Sequence, residues 1–369
     1  MQHTKNRIFG LDLMRAIAIL MVLSSHSLWI YPPNTNLITQ VGHLFGYWGV
    51  ELFFVLSGFL IGRIVYQLFL QDDFKLTHVF HFLKRRWFRT LPNYYLVLLI
   101  NIGIAFWIGY PIQDLWRYFI FMQNFASPML PFFTESWSLS IEEFAYLLLP
   151  LALYIKTVVV KPFDKVRFLL WVILGFILFF IATKIVKAYF YPPASIEQWN
   201  LAIKSVVVFR LDAIFMGVLF SWFSLTYQNI WKKSKIMLAI IGSCLVGFLF
   251  AGIGYFQLTY EVFPFFWNVW YLPLTSFSFA LFLPFLSEWK SIKWPFIQKI
   301  IVWISLISYS IYLLHYGIIL QLLKYYFPTE GMAINSLHGY TVIYLVLTFF
   351  FSSLLYRFYE KPMTDLRDK

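Results

Sequence analysis

Charged residues are scarce in this chain of 369 residues, of which only 12% are Asp, Glu, Lys or Arg. A soluble domain usually carries about twice that fraction. Apolar residues make up 60% of the chain and aromatic residues 22%. One globular core could not bury so much apolar surface. The lack of charge therefore excludes a soluble globular protein.

Cysteine is almost absent as well. The one cysteine, Cys244, excludes an intramolecular disulfide and any cysteine-based zinc site, and no metal is expected. Its small and apolar neighbours indicate packing against another helix. Low-complexity linkers and long soluble loops are also lacking. We therefore expect a single transmembrane domain over residues 1–369, without a fused extracytoplasmic domain.

Hydrophobic runs of about 20 residues, long enough to cross a hydrocarbon layer roughly 30 Å thick, recur along the whole chain. They are continuous and rich in Leu, Ile and Phe, whereas the strands of a membrane barrel alternate apolar and polar residues. The first run contains Arg15 and His26 and has no small-residue cleavage site, so we expect a retained helix and not a signal peptide. The pattern predicts an all-α integral membrane protein, a bundle of about ten transmembrane helices. The predicted helices are 10–30, 47–69, 93–110, 139–156, 167–187, 203–224, 236–254, 268–287, 300–323 and 340–357.

Residues 110–138 form the longest stretch that is not continuously apolar, yet they include Trp116, Tyr118 and Phe119. Aromatic residues are enriched at membrane interfaces, and long structureless loops are uncommon in compact domains. We therefore predict a re-entrant or interfacial segment on the outer side, not a free loop.

The net charge of +12 could indicate a nucleic-acid partner, but the placement of the basic residues argues against one. Lys and Arg concentrate on alternate connections between the predicted helices, from Lys5 through 84–89, Lys161 and 232–235 to Lys369. Such alternation follows the positive-inside rule. It predicts an even number of helices and two cytoplasmic termini, with basic residues that set orientation and meet membrane lipids.

The first predicted helix carries Arg15 and His26 inside the membrane, where charged side chains are costly and usually functional. Eleven residues amount to three helical turns plus about 20°, so both side chains share a face and lie roughly 16 Å apart. Asp12 lies one turn from Arg15 and is its natural partner. The alternative is a purely structural Asp12–Arg15 pair with an interfacial His26.

Arg86 and Arg89 occupy the predicted cytoplasmic face at i, i+3 spacing, which would form a fork suited to phosphates if the segment is helical. Arg63 lies toward the same side, and Ser57 stands beside Gly58, where a ligand or a helix can approach closely. The candidate donor-binding residues are therefore Arg86, Arg89, Arg63 and Ser57. An anchor on anionic lipid headgroups would explain the arginine pair equally well, and helix packing would explain Ser57-Gly58.

Two adjacent carboxylates, Glu142 and Glu143, stand near the start of the fourth predicted helix. They point about 100° apart, so both cannot face lipid cheaply, and a poorly solvated carboxylate can accept or orient protons. Helix capping explains one glutamate more easily than two. The predicted catalytic set is His26, Arg15, Glu143 and Glu142, and which glutamate faces the site stays open.

Further polar residues extend the site into a predicted polar tunnel: Asp12, Glu51, Trp137, Ser138, Tyr146, Arg210, Asp212, Tyr309 and His315. In the predicted topology the inner half of the membrane holds Arg15, Arg63, Arg86 and Arg89. The outer half holds His26, Glu51, Glu142, Glu143, Arg210 and His315.

This sorting suggests that arginines at the inner mouth bind the phosphates of a donor made in the cytoplasm. An extended pantetheine arm has about the length needed to carry a thioester from there to His26. His26 would act as general base toward an acceptor hydroxyl, and one glutamate would hold its imidazole in the required tautomer. Arg210, Ser57 or backbone amides would stabilise the oxyanion.

The same residues form motifs that resemble the membrane-bound acyltransferase-3 family. The motifs are Asp12-x-x-Arg15-x10-His26, Phe53-Phe54-x-x-Ser57-Gly58-Phe59, Arg86-x-x-Arg89-x-x-Pro92, Trp137-Ser138-Leu139-Ser140-Ile141-Glu142-Glu143-x-x-Tyr146, Arg210-Leu211-Asp212, Ser308-Tyr309-Ser310-Ile311-Tyr312-Leu313-Leu314-His315 and Tyr359-Glu360-Lys361-Pro362. They occur in family order and cover essentially the whole chain.

The resemblance implies transfer of an acyl group, with acetyl-CoA as the expected co-substrate, to a hydroxyl of a cell-surface glycan or glycolipid. It implies a multi-pass protein of the bacterial inner (cytoplasmic) membrane, catalytic roles for Arg15 and His26, and donor contacts from Arg86 and Arg89. Family members often carry an extracytoplasmic esterase-like domain, so separate cell-envelope partner proteins are a further expectation. Whether His26 acts as a base or carries a transient acyl group stays open.

The competing interpretation is a non-enzymatic exporter or permease for a polysaccharide or lipid-linked sugar, in which the same residues line a translocation path. A third interpretation is a structural partner that delivers the donor to a soluble transferase.

Overall fold

The structure, a computed structural model, describes residues 7–33, 37–159 and 164–368. The predicted basic positions Lys5, Lys161 and Lys369 lie outside these residues. Throughout the described part the regular structure is helical, without strands, and nine helices are long and apolar enough to cross a membrane. The prediction of an all-α integral membrane protein is confirmed.

Ten principal helices form the bundle in the described ranges. In chain order they are α1 (Phe9–Ser27), α2 (Leu37–Phe69), α3 (Leu76–Ile108), α4 (Trp137–Val159), α5 (Lys165–Phe190), α6 (Leu211–Thr226), α7 (Gln228–Gly254), α8 (Leu272–Ala280), α9 (Pro295–Leu314) and α10 (Ile334–Leu355). Helix α8 is the middle of the longer helical span Pro264–Glu288.

The predicted sixth helix is the one that is shorter than a membrane span. Helix α6 begins at Leu211, and the preceding residues form a π-helical turn (Asn200–Lys204) and a 3-10 turn (Val207–Phe209). The amide of Val207 donates to the carbonyl of Asn124 at 3.0 Å, so the chain here bonds to a neighbouring loop and does not continue a helix. The nine long spans and this short apolar helix together occupy the ten predicted positions.

Helix α3 begins far earlier than predicted, at Leu76 and not near residue 93. The basic segment 84–89, expected on a connection between helices, is therefore part of α3. The helix continues through Pro92, although proline cannot donate the usual backbone hydrogen bond. The helical conformation places Arg86 and Arg89 on one face, as their phosphate-binding interpretation requires.

The segment before α4 packs against the bundle and is not a free loop, whereas its re-entrant or interfacial place on the outer side stays a prediction. Tyr118, in the short helix Trp116–Phe119, is fully buried. Its hydroxyl donates to the carbonyl of Phe132 at 2.5 Å, and the hydroxyl of Tyr94 in α3 donates to the carbonyl of Tyr118 at 2.7 Å. These bonds satisfy backbone groups that a buried loop would otherwise leave unpaired.

Helices α2 and α6 cross at two facing glycines. A Cβ atom on Gly58 would lie 2.0 Å from the carbonyl oxygen of Ile214, and one on Gly217 would lie 2.1 Å from that of Val55. Side chains at either position would force the two backbones apart, since small residues are what permit such close approach. Helix packing therefore accounts for the small residue at position 58.

Replacing Gly58 by alanine is expected to destabilise the protein by about 1–3 kcal/mol, because overpacking this crossing requires a backbone shift. Thermal unfolding of the purified variant in detergent measures the effect. Gly103→Ala is the matched control, since a Cβ there meets nothing within 4 Å. Equal melting temperatures for Gly58→Ala and Gly103→Ala would contradict the close crossing.

Two of the long helices pass through π-helical turns at residues that matter for the site. Helix α9 continues into the π-helical segment His315–Leu320, and α10 continues into Tyr356–Glu360. Such turns widen the helix and are frequent at functional sites. They place His315 and Glu360 at local changes in side-chain direction.

Candidate active site: an arginine cavity and a histidine pair

A partly open cavity with polar and apolar walls lies among helices α1, α2, α3, α4 and α9 and has a volume of about 850 Å³ with its opening included. Its polar lining residues are Arg15, Ser57, Arg86, Arg89, Thr90, Ser138, Glu142, Tyr146, Ser308, Tyr309 and Tyr312. We call this space the arginine cavity. It brings together most of the predicted catalytic and donor-binding residues from five separate helices.

Three arginines against one carboxylate make the arginine cavity suitable for an anion. The guanidinium of Arg86 lies 6.0 Å from the ring centroid of Tyr146, and Arg15 donates to the hydroxyl of Ser305 at 3.3 Å. Arginine is the side chain that binds phosphate most directionally, because its donors form a planar fork. The cavity therefore fits a phosphate-bearing ligand.

Asp12, the predicted partner of Arg15, interacts with Arg7 as well. Its carboxylate lies 3.8 Å from Arg15 but also pairs with Arg7 and accepts a hydrogen bond from Ser305 at 2.7 Å. Asp12 lines a separate cavity beside Arg7 and does not line the arginine cavity. Arg7 is therefore the closer charge partner of Asp12, and hydrogen bonds connect Asp12 with Arg15 only through Ser305.

The two glutamates have different surroundings. Glu142 lines the arginine cavity and accepts a hydrogen bond from Tyr146 at 2.7 Å, and the Tyr146 hydroxyl lies 2.6 Å from that of Ser57. Glu143 points instead to α3, where it accepts a hydrogen bond from Thr90 at 2.7 Å. Glu142 is thus the glutamate that faces the cavity.

The predicted sorting of both glutamates to the histidine end is wrong. Because α3 begins early and runs alongside α4, the segment that carries Arg86 and Thr90 reaches the second turn of α4. Glu142 consequently lies among the arginines, where it offsets part of their charge.

Exchanging each glutamate for glutamine should separate their roles. Glu142→Gln alters the charge of the arginine cavity and is expected to change turnover by about tenfold or more, whereas Glu143→Gln keeps a group that accepts from Thr90 and should change it less than about threefold. Steady-state kinetics of both purified variants provide the comparison. Equal effects of the two substitutions would contradict the assignment.

A pair of histidines lies beyond the cavity. His26 Nδ1 is 2.6 Å from His315 Nε2, and the two rings stack with centroids 4.8 Å apart. His315 is completely buried at the start of its π-helical segment, and Tyr316 lies 4.9 Å from the ring of His26. His315, and not a glutamate as predicted, contacts the Nδ1 atom of His26.

Tyr312 connects the cavity with the histidine pair. It lines the arginine cavity, and its ring centroid lies 5.9 Å from that of His315. Its hydroxyl donates to the carbonyl of Glu135 at 3.0 Å and accepts from Ser138 at 2.7 Å. The arginines and His26 thus occupy successive parts of one polar region, with Tyr312 between them.

Several predicted tunnel residues lie elsewhere. Arg210 forms a buried ion pair with Glu51, which also accepts a hydrogen bond from Ser276 at 2.5 Å. Asp212 pairs with Lys184 at 2.6 Å. These pairs connect α2, α6 and α8, and α5 with α6, and breaking such a buried pair is strongly destabilising. The oxyanion role predicted for Arg210 finds no support, because Glu51 engages it.

Arg63 also lies outside the cavity. Its guanidinium donates to Ser224 at 3.3 Å and lies 5.6 Å from the ring centroid of Phe59. The structure therefore brings Arg86, Arg89 and Ser57 together as candidate donor contacts but not Arg63.

Trp137 stands at the start of α4 and contacts a cation that the sequence did not single out. The ammonium group of Lys204 lies 5.2 Å from the centroid of the Trp137 ring. Burial lowers the pKa of Lys204 to about 8, because a poorly solvated amine loses its proton more easily. The aromatic face of Trp137 partly compensates for that loss of solvation.

Two buried carboxylates were missed by sequence reasoning. Glu135 accepts from the backbone amide of Gly317 at 2.9 Å. Glu360 accepts from Asn93 at 2.9 Å and from Ser310 at 2.5 Å. Glu360 belongs to the motif Tyr359-Glu360-Lys361-Pro362, so its place in that motif was the available signal. Within the described ranges, no group of histidine, cysteine and acidic side chains could hold a metal ion.

Comparison with known proteins adds to this geometry. Residues 8–357 match a family profile described as "Acyltransferase domain". A protein of Staphylococcus aureus (strain COL) is named "Putative O-acetyltransferase SACOL0978". It is 27% identical over an alignment of 379 residues, gaps included, that covers 96% of this chain and 56% of that protein. "O-acetyltransferase OatA" of Staphylococcus aureus (strain NCTC 8325 / PS 47) is 26% identical, covering 96% and 57%.

A third relative is "Putative peptidoglycan O-acetyltransferase YrhL" of Bacillus subtilis (strain 168), 24% identical over 96% of this chain and 54% of that protein. The chain thus spans little more than half the length of these curated relatives. No solved structure matches the chain.

Proposed function

The chain belongs to the Acyltransferase domain family, and from this premise we propose that it is a membrane O-acyltransferase. It moves an acyl group, acetyl in our proposal, from acyl-CoA to a hydroxyl of a cell-surface glycan or glycolipid. The observation that carries the proposal is the arginine cavity, lined by Arg15, Arg86 and Arg89, whose Tyr312 contacts His315 and through it His26. The names of the relatives, which include two O-acetyltransferases and a peptidoglycan O-acetyltransferase, support the choice of acetyl and of an envelope glycan.

Arg86 and Arg89 bind the phosphates of the donor. They lie on one face of α3 at the mouth of the arginine cavity, and Arg15 extends the positive charge inward along α1. A helical rise of 1.5 Å per residue places His26 roughly 16 Å beyond Arg15, a length that the pantetheine arm can bridge. The thioester then reaches Tyr312 and His26 while the nucleotide end stays at the arginines.

His26 is the general base. It accepts the proton of the acceptor hydroxyl while that oxygen attacks the thioester carbonyl carbon. The carbon–sulfur bond breaks, and the departing CoA sulfur takes the proton from the imidazolium, so that CoA thiol and acyl ester are released. Ser57 and backbone amides are the remaining candidates to stabilise the oxyanion.

The proposed orientation puts the arginine mouth and both termini in the cytoplasm, in the inner membrane of a bacterium. Residues 1–369 act as one transmembrane acyltransferase unit. Envelope proteins that receive the acylated product or present the acceptor are the expected partners.

A transfer assay with purified protein tests this function against the exporter alternative. Wild-type protein in detergent is incubated with acetyl-labelled acetyl-CoA and extracted cell-surface glycans, and the glycans are analysed by mass spectrometry. Acetylated glycan together with an equal amount of free CoA supports the transferase. Export of glycan from vesicles without any acetylation would contradict the transferase and support the exporter.

A further inference from the structure

His26 and His315 present two ring nitrogens to each other across 2.6 Å. A neutral imidazole carries one hydrogen, so one of its nitrogens donates and the other accepts. At this separation the two facing nitrogens need one hydrogen between them. The other contacts of the pair decide which ring supplies it.

The second nitrogen of His315 faces only backbone carbonyls. Its Nδ1 atom lies 2.8 Å from the carbonyl oxygen of Tyr312 and 3.1 Å from that of Ile311. Carbonyl oxygens accept hydrogen bonds and cannot donate them, so Nδ1 of His315 carries the hydrogen. Nε2 of a neutral His315 is therefore an acceptor, and the hydrogen between the rings belongs to Nδ1 of His26.

This pattern leaves Nε2 of His26 with its lone pair, which is the form that a general base requires. The arrangement is also rigid. His315 is completely buried where α9 passes into its π-helical segment, and its ring is held on both nitrogens. Tyr316, on the same segment, also packs against the His26 ring, with the two ring centroids 4.9 Å apart.

We propose that His315 is a positioning residue that fixes His26 in the tautomer with Nδ1 protonated and Nε2 free to accept the proton of the acceptor hydroxyl. The proposal rests on the proposed function, in which His26 is the base. It gives to a neutral histidine the task that a carboxylate performs in serine hydrolases. His315 itself does not touch the reacting groups.

Two substitutions at this position test the proposal. His315→Leu removes the acceptor and is expected to lower kcat by about 10²–10⁴-fold, as expected when a catalytic histidine loses the partner that sets its tautomer. The KM for acetyl-CoA should stay within about threefold, because His315 does not line the arginine cavity. His315→Gln supplies an amide oxygen that can accept from Nδ1 of His26 and should restore kcat to within about tenfold of wild type. His338→Leu, whose histidine contacts Tyr31 and not His26, is the matched control.

The outcomes separate this proposal from the function it rests on. Full transfer by His26→Ala would refute His26 as the base. An inactive His26→Ala protein together with an unaltered kcat in His315→Leu would refute the positioning role alone. Nitrogen-15 NMR of histidine-labelled wild-type protein decides the matter even where neither His315 variant folds. A protonated Nδ1 and a bare Nε2 on His26, assigned by difference from His26→Ala, are expected, and the opposite tautomer would overturn the proposal.

Discussion

His26→Ala is expected to lower kcat for acyl transfer by about 10²–10⁴-fold, the usual contribution of a positioned general base. The affinity for acetyl-CoA should stay within about threefold, because His26 does not line the arginine cavity where the donor phosphates are proposed to bind. Steady-state kinetics with acetyl-CoA and a glycan acceptor, and donor binding by calorimetry, measure the two quantities separately.

A histidine elsewhere in the protein controls for nonspecific effects of this substitution. His338→Ala removes a histidine that contacts Tyr31 and should leave kcat unchanged. Normal turnover in His26→Ala would exclude His26 as the base. A trapped acyl group on His26 of wild-type protein, found by peptide mass spectrometry, would favour the alternative in which this residue carries the acyl group.

The double substitution Arg86→Ala and Arg89→Ala is expected to weaken acetyl-CoA binding by about 10²-fold or more. A hydrogen bond to a charged group contributes about 1.5–3 kcal/mol, and two guanidinium groups are lost. The partial exposure of this mouth to solvent favours the lower end of that range. Calorimetric titration of the purified variant with acetyl-CoA gives the affinity.

Arg85→Ala is the matched control, since it removes the same charge from the neighbouring position of α3, which does not line the arginine cavity. If the pair reads the 3′-phosphate, the effect of the double substitution should shrink with a dephospho-CoA thioester. Unchanged affinity for both donors, together with a lower yield of membrane-inserted protein, would contradict donor binding. The two arginines would then be an anchor on lipid headgroups.

The helical membrane fold was predictable from the sequence because hydropathy acts over windows of about 20 residues. The start of α3 was not, since Lys84, Arg85 and Arg86 lower local hydropathy although they are helical. The length of α6 was missed for the opposite reason. Residues 203–210 are apolar enough to suggest a membrane helix, but hydrogen bonds to the 124–125 loop hold them in tight turns.

For the candidate site, helical spacing placed Arg15 and His26 on one face and grouped Arg86 with Arg89. Spacing within one helix cannot show which residues of other helices come near. His26 and His315 are 289 positions apart, and their contact depends on how α1 and α9 pack. The same limit led to the wrong partner for the imidazole and to the wrong half of the bundle for Glu142.

The buried ion pairs illustrate why a charge within the membrane is not by itself a catalytic signal. Arg210 with Glu51 and Lys184 with Asp212 satisfied the same sequence criterion as Arg15, namely a costly charge in an apolar helix. In the folded protein the two opposite charges of each pair lie on different helical segments and neutralise each other. Arg15 differs because it also faces a cavity that can hold a ligand.

The central claim is that the arginine cavity and His26 are two ends of one path, with the donor entering on one side of the membrane and the acceptor reacting on the other. Oriented proteoliposomes test it when labelled acetyl-CoA is supplied only on the side of the arginine mouth and acceptor glycan only on the opposite side. The claim predicts labelled glycan on the acceptor side, with an equal amount of CoA left on the donor side. Label on the glycan only when both substrates share a compartment would contradict it.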